Sequence, residues 1–287
     1  MLQKIEVFAP AKINLYLKIV GKRPDGFHDL ETLMVPITIG DTLSVELKEG
    51  EPTVTMTCDR ADLPADPSNL AWRAAQLFIE RFTVKKAVHI ALTKRVPVGA
   101  GLGGGSSDGA HVLLALRQLT GIAATDAELA EIAAKLGSDV PFFIYRRPAL
   151  CKGRGEIIEP LPEWNETIRG LLVHPGFGVP TPWAYQTYAR DPKPGEEGVR
   201  FSFGPLRNDL EPPAFSKYLW LPTAKAWFAR QPGVKAAMMS GSGSSVFALL
   251  EEGGDVAALR AAFHQEFGAG LFAEPFEVWT EEKESVS

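Results

Sequence analysis

An α+β fold is the class this sequence predicts, and three observations carry that prediction. Period-two and period-3.6 apolar runs are intermixed without the regular strand–helix–strand alternation of a doubly wound sheet. The first ninety or so residues are mostly strand-like, whereas helical spacing dominates from 106 onward to about 136. No internal repeat at solenoid periods and no low-complexity run is present. At about 150 residues per domain, 287 residues predict two domains or one large one.

The elements follow in chain order. Ile5, Val7, Ile13, Leu15, Leu17 and Ile19 hold odd positions, a strand stripe interrupted at Ala9, Pro10 and Ala11. Residues 42–47 and 53–57 continue in β-type composition. Segment 69–82 has helical spacing, with Leu70, Ala74, Leu77 and Phe78 on one face and Ser68 or Asn69 as N-cap. Val88, Ile90 and Leu92 then alternate as a half-buried strand. A glycine-rich stretch, 99–105, feeds a helix over 106–119 that Gly121 closes. Thr125 and Glu128 form a capping box for a second helix, carrying Leu129, Ile132, Ala133 and Leu136 and ended by Gly137. The turn-rich passage 148–162 is the best boundary, predicting domains 1–155 and 156–287. Beyond it, 170–174 and 246–250 are strands, and 222–230 and 256–267 are helices.

Composition removes several function classes. Thirty basic against 35 acidic residues leave a net charge of −5, which argues against a sequence-independent nucleic-acid binder. No stretch approaches the roughly 18 apolar residues of a membrane span, and the N-terminus lacks the apolar block of a signal peptide. A cytoplasmic protein, without membrane or nucleic-acid partner, is the expectation. Cys58 and Cys151 are too few for a disulfide framework and read as reduced thiols. His89, His111 and His264 read as ordinary surface or helix residues, and no His/Cys/Glu cluster has structural-metal spacing.

Glycine is where the composition departs from average. Pro97, Val98, Gly99, Ala100, Gly101, Leu102, Gly103, Gly104, Gly105, Ser106 and Ser107 put five glycines into the seven positions 99–105, just before a helix. Glycines let the backbone approach a ligand, and successive N–H groups plus a helix N-terminus cradle phosphate. Ser106 and Ser107 are placed to cap the helix, to donate to phosphate oxygens, or to reach a magnesium ion. A flexible surface turn is the bland alternative. A Walker loop is excluded, because no lysine lies between Gly99 and Ser107. The dinucleotide reading of Gly99, Gly101 and Gly104 fails on context: the preceding strand alternates, and Asp126 and Glu128 fall at a helix start. Lys12 and Asn14 share the strand face opposite Ile13 and Leu15, with an exposed lysine as the commoner fate. A second loop, 240–245, alternates serine and glycine through Gly241, Ser242 and Gly243 before a strand.

Three segments, PAKINLYL (10–17), PVGAGLGGGSS (97–107) and SGSGSSVFALL (240–250), resemble the three motifs of the GHMP kinase superfamily in order and spacing. The likeness covers about residues 6 to 250. It extends to Asp25-Gly26-Phe27-His28, Gly40-Asp41, Lys94-Arg95, Gly137-Ser138-Asp139, His174-Pro175-Gly176 and Val179-Pro180-Thr181-Pro182. It is closest to the branch acting on a cytidine diphosphate-linked methylerythritol. The resemblance implies a ribosomal protein S5 domain 2-like N-terminal domain that binds ATP, and a ferredoxin-like C-terminal domain contributing to the substrate site. It implies Asp139 as catalytic base beside Lys12, where helix capping by Asp139 is the alternative. ATP would lie on the 97–107 loop, with Asn69 and Lys94 on the adenine side. Phe27 and Tyr185 would sandwich a cytosine and His28 would bond its edge, with Asn14, Pro180, Thr181 and the 241–243 loop lining the same pocket. Magnesium is expected with ATP, without assigned protein ligands beyond Asp139, Ser106 or Ser107. The expected assembly is a monomer or weak dimer. Two other readings stay open: a kinase for mevalonate-type or sugar alcohols, and a catalytically dead nucleotide sensor on the same fold.

Overall fold

Residues 3–280 are described by the computed structural model, and they form two large sheets set face to face with helices on both outer sides, together with one small two-stranded sheet. The chain runs β1 (Lys4–Lys22), β2 (His28–Lys48), β3 (Val54–Cys58), α1 (Leu70–Phe82), β4 (Ala87–Thr93), α2 (Gly104–Thr120), α3 (Asp126–Ala134) and α4 (Val140–Ile144). Strands β5 (Ala149–Gly153), β6 (Ile157–Pro160) and β7 (Arg169–His174) follow, then α5 (Thr181–Arg190). Three two-residue strands come next: β8 (Arg200–Phe201), β9 (Gly204–Pro205) and β10 (Arg207–Asn208). The last elements are α6 (Glu211–Lys217), α7 (Trp220–Phe228), β11 (Val234–Met239), β12 (Val246–Leu250), α8 (Val256–Phe267) and β13 (Phe272–Glu277).

The first sheet has the order β10-β1-β2-β4-β3. Opposite β1, the long β2 carries β4 along 42–48 and β5 along 30–34, with β6 beyond β5. The second sheet, β11-β12-β7-β13, is antiparallel throughout. With α5–α7 after its first strand and α8 after its third, it is the βαββαβ arrangement of ferredoxin-like domains. Both inner strands of this sheet are buried on both faces. Leu171 and Val173 of β7 pack with the helices while Leu172 packs toward the first sheet; in β12, Val246 and Ala248 contrast with Phe247 and Leu249 in the same way. This explains why both strands are continuous apolar runs rather than alternating ones.

The break at Ala9–Ala11 is a change of layer. The register of β1 on β2 slips between Pro10 and Lys12, where proline offers no N–H to a ladder. Val7 and Ala9 pack toward α1–α4, whereas Ala11, Ile13 and Leu15 pack between the sheets. The odd-numbered stripe therefore continues in sequence but crosses the sheet, turning Lys12 and Asn14 toward the helix side. Gly40 sits opposite on β2, where a Cβ would run into the Phe8 ring.

Several expectations need correction. Passage 148–162 is not a linker: it is the β5–β6 hairpin, paired to β2 through β5. The expected division into 1–155 and 156–287 cuts that hairpin between its strands. In addition, β10 returns from the second half to pair with β1. Helix α3 ends at Ala134 rather than Gly137, because Leu136 N–H already bonds back to Ala133 in a tight final turn. Helix α7 starts two residues earlier than its apolar spacing suggested, and α5, α6, β11 and β13 carried no clear period. The caps at Asn69, Gly121 and Thr125 are as expected. His111 is a helix residue, one of the two places expected for it, and its burial in α2 lowers its imidazole to a pKa of about 4.

Candidate active site

A cleft of about 930 Å³ opens where the start of α2, strands β1 and β2, helix α5 and the 240–245 loop converge. Its floor is made by the two glycine loops, which are tied to each other. Ser245 N–H donates to Ala100 O at 3.1 Å, and Ser240 Oγ donates to Gly101 O at 3.1 Å. Gly101 has φ +77°, and a Cβ there would fall on the Ser240 carbonyl, so only glycine permits this approach. Gly103, in left-handed conformation, starts α2 without any side-chain cap. The first intrahelical bond is Ser107 N–H to Gly103 O, which leaves the amides of Gly104, Gly105 and Ser106 as the orphan donors of the helix start. With the helix dipole behind them, they form a site for an anion.

At the floor lies Lys12, 4% exposed. Its backbone N–H donates to Leu102 O at 2.9 Å, which anchors β1 to the first glycine loop. Its Nζ donates to Asn14 Oδ1 at 2.6 Å and to Gly101 O at 2.9 Å, and lies 3.9 Å from Asp139 Oδ2. Burial lowers the ammonium's pKa, against the opposing pull of Asp139. Asp139 occupies the N-cap position of α4 but makes no capping hydrogen bond, so the capping alternative does not hold. Its carboxylate lies on the cleft wall.

A second lysine is held differently. Lys94 Nζ donates to Asp41 Oδ2 and, at 2.8 Å, to Asp108 Oδ2, all three side chains being buried. Burial by itself would lower Lys94, but the two carboxylates outweigh it and raise its pKa. Asp41 Oδ1 also accepts from the backbone N–H groups of Arg95 and Val96 at 2.6 and 2.9 Å. Asp108 has no such support: Oδ1 is buried without a partner, and burial pushes its pKa up to about 7.

The aromatic side pairs off in an unexpected order. Tyr185 stacks on His28, ring centroids 5.4 Å apart, rather than facing Phe27 across an open slot. Phe27, about half exposed, has the Arg154 guanidinium 4.8 Å over its ring. His28 Nε2 is buried with no hydrogen-bond partner, and burial lowers its pKa. Thr181 and Ser242 hydroxyls meet at 2.8 Å, bridging α5 to the second glycine loop.

Every sequence-predicted site residue except two lines this cleft. Ser107 is fully buried, its Oγ 3.2 Å from His111 Nδ1 and its N–H used inside α2. Gly243 donates its N–H back to Ser240 O, closing the second loop rather than facing the cavity. Asn69 contributes a cleft surface, but its amide is engaged by Ala71 N–H and Pro64 O. Asp108, Arg154 and Thr32 line the cleft and were not singled out from sequence. Asp108 directly follows Ser107 and was within reach as the first carboxylate after the loop; Arg154 and Thr32 carry no local signal. Among the described residues, no group of three or more His, Cys, Asp or Glu side chains is arranged to hold a metal ion.

Comparison with known proteins fits this geometry. The chain matches the family "GHMP kinases N terminal domain" over residues 69–147 and "GHMP kinases C terminal" over 186–270. A curated 4-diphosphocytidyl-2-C-methyl-D-erythritol kinase from Methylacidiphilum infernorum is 50% identical over 255 residues, covering 86% of this chain and 87% of its own. Its counterpart from a Geobacter species is 38% identical over 279 residues, covering 95% and 98%. A crystal structure of 4-(cytidine 5'-diphospho)-2C-methyl-D-erythritol kinase superposes with a TM-score of 0.78 at 33% identity, over 96% of this chain and 99% of that one. A homoserine kinase from Cytophaga hutchinsonii shares the fold, with a TM-score of 0.73 at 20% identity over 98% and 96%.

Proposed function

The chain belongs to the GHMP kinases, and from that premise we propose that it uses ATP to phosphorylate the 2-hydroxyl of 4-diphosphocytidyl-2-C-methyl-D-erythritol, a step of non-mevalonate isoprenoid precursor synthesis. The observation that carries this reading is the Lys12–Asp139 pair, 3.9 Å apart, with Lys12 on the floor formed by the two glycine loops and Asp139 on the wall beside it. Phosphoryl transfer is largely a matter of positioning and charge stabilisation, with a base for the acceptor proton. Asp139 accepts the proton of the substrate hydroxyl. Lys12, held by two neutral acceptors, keeps one N–H for the oxygen on which charge develops. The free amides at the start of α2 and the 97–107 loop hold the nucleotide phosphates, with Asn69 and Lys94 toward the adenine.

Phe27, His28 and Tyr185 line the pyrimidine end, where stacking contributes roughly 1–3 kcal/mol per base. Because Tyr185 rests on His28 here, cytosine binding parts that pair and seats the base between Tyr185 and Phe27. Asn14, Pro180, Thr181, Gly241 and Ser242 complete the substrate wall. Gly243 supports that loop, and Ser107 supports the helix start. Magnesium fits the hard oxygen donors available, the Ser106 hydroxyl and the Asp139 carboxylate, both on the cleft wall. When bound with ATP it neutralises phosphate charge. We place the enzyme in the cytoplasm, as a monomer or weak dimer, with no nucleic-acid or membrane partner; no helix of the described residues is long and apolar enough to cross a membrane.

A coupled ATPase assay over a panel of alcohols tests this. Turnover with the cytidylated substrate alone is expected. Turnover with an uncytidylated alcohol would move the enzyme to another GHMP branch, and nucleotide binding without any turnover would make it a sensor.

A further inference from the structure

The hydrogen bonds beneath Lys12 have a direction, and that direction leads to a residue with no assigned role. Lys12 Nζ donates to Asn14 Oδ1 at 2.6 Å, Asn14 Nδ2 donates to Thr32 Oγ1 at 2.8 Å, and Thr32 Oγ1 donates to Tyr16 O at 2.7 Å. Both ends are chemically fixed. An ammonium only donates and a carbonyl only accepts. The single Thr32 hydroxyl proton therefore goes to Tyr16 O, which leaves only a lone pair for the Asn14 amide. Asn14 must then turn its NH₂ to Thr32 and its Oδ1 to Lys12; the flipped amide would set donor against donor at Lys12 and acceptor against acceptor at Thr32. The three side chains are 4%, 2% and 1% exposed, so water does not substitute for a missing partner.

The backbone supplies the anchor. The register of β1 on β2 slips a second time between Asn14 and Tyr16, and the carbonyl at that slip is the one that accepts from Thr32. The bulge thus serves a local purpose: it presents an acceptor to a side chain of the neighbouring strand.

We propose that Thr32 is a positioning residue for the phosphoryl transfer, fixing the Asn14 amide so that its oxygen holds the Lys12 ammonium with one N–H directed at the reacting oxygen. This rests on the assignment of Lys12 and Asp139 made above. Thr32 acts through Asn14 and needs no contact with substrate.

The test is steady-state kinetics for Thr32→Val, which is isosteric and lacks the hydroxyl, and for Thr32→Ser, which keeps it. The valine variant is expected to lose about tenfold or more in kcat, the scale of one hydrogen bond to a charged group, with both KM values within about twofold of wild type. Serine should restore the rate. A valine variant with wild-type kcat, one whose loss falls on KM instead, or a loss that serine does not rescue, overturns the proposal. If valine does not fold, Thr32→Ala reads the same two quantities. Wild-type enzyme that fails to turn over the cytidylated substrate would instead sink the function proposed above, so the two failures are distinguishable.

Discussion

Two lysines sit in one cleft, both buried, and their surroundings drive them in opposite directions. Lys12 has neutral acceptors, Asn14 Oδ1 and Gly101 O, with the nearest carboxylate 3.9 Å away; its pKa is lowered. Lys94 is clasped by Asp41 and Asp108, and its pKa is raised. The floor lysine has only one carboxylate near it, Asp139 at 3.9 Å, and faces the cleft. The wall lysine has its charge cancelled, and it ties the end of β4 to β2 and α2. In the mechanism we propose, the same side chain serves chemistry in one place and architecture in the other, and the difference lies in the distance and number of carboxylates.

Substitutions that should divide the two regions follow from the largest expected effect to the smallest. Asp139→Asn should lower kcat by about two to four orders of magnitude, with thermal stability close to wild type because the side chain caps nothing. Wild-type kcat in this variant would remove the base from the proposed mechanism. Lys94→Met should behave in the opposite way, costing stability in the range of about 3–5 kcal/mol by leaving buried carboxylates unpaired. That loss should be smaller at pH 5 than at pH 8, since Asp108, already raised to about 7, takes up a proton, whereas Asp41 keeps its two backbone donors. A melting curve of Lys94→Met that is indifferent to pH would show that the pair is not what holds this wall.

The smallest effect is that of Asp108→Asn. A carboxyl whose folded pKa exceeds its ordinary value of 3.8 contributes stability that is fully present below that value and lost as pH rises toward 7. The melting temperature of the asparagine variant relative to wild type should therefore move in the variant's favour between pH 4 and pH 8. Movement the other way would mean that the attraction of Lys94 outweighs burial at Asp108.

Much of the cleft was legible because its backbone is written in short windows. Five glycines before a helix, a serine–glycine loop before a strand, and a proline interrupting a strand stripe each announce a local conformation. The Thr125–Glu128 capping box and the Gly121 stop are local in the same sense. Ser107 and Gly243 belong to the two glycine loops yet do not line the cleft, for a matching reason: loop membership is visible in sequence, but which residue of a loop faces inward depends on its neighbours. The β5–β6 hairpin was mistaken for a boundary because its strands are only five and four residues long and rich in turn residues, and only pairing with β2 makes them strands.

By itself, then, the sequence determined the caps at Asn69, Gly121 and Thr125 and the two glycine-rich loops, since these depend on φ preferences and contacts a few residues apart. Which side each strand turns, and what each charged group is worth, were decided only by the tertiary structure. Asp41, Lys94 and Asp108, like Lys12 and Asp139 or Asn14 and Thr32, share no local pattern. The register slips in β1 and the burial of the cleft floor bring them together, and a charge takes its protonation state from the partners and the solvent that folding leaves around it.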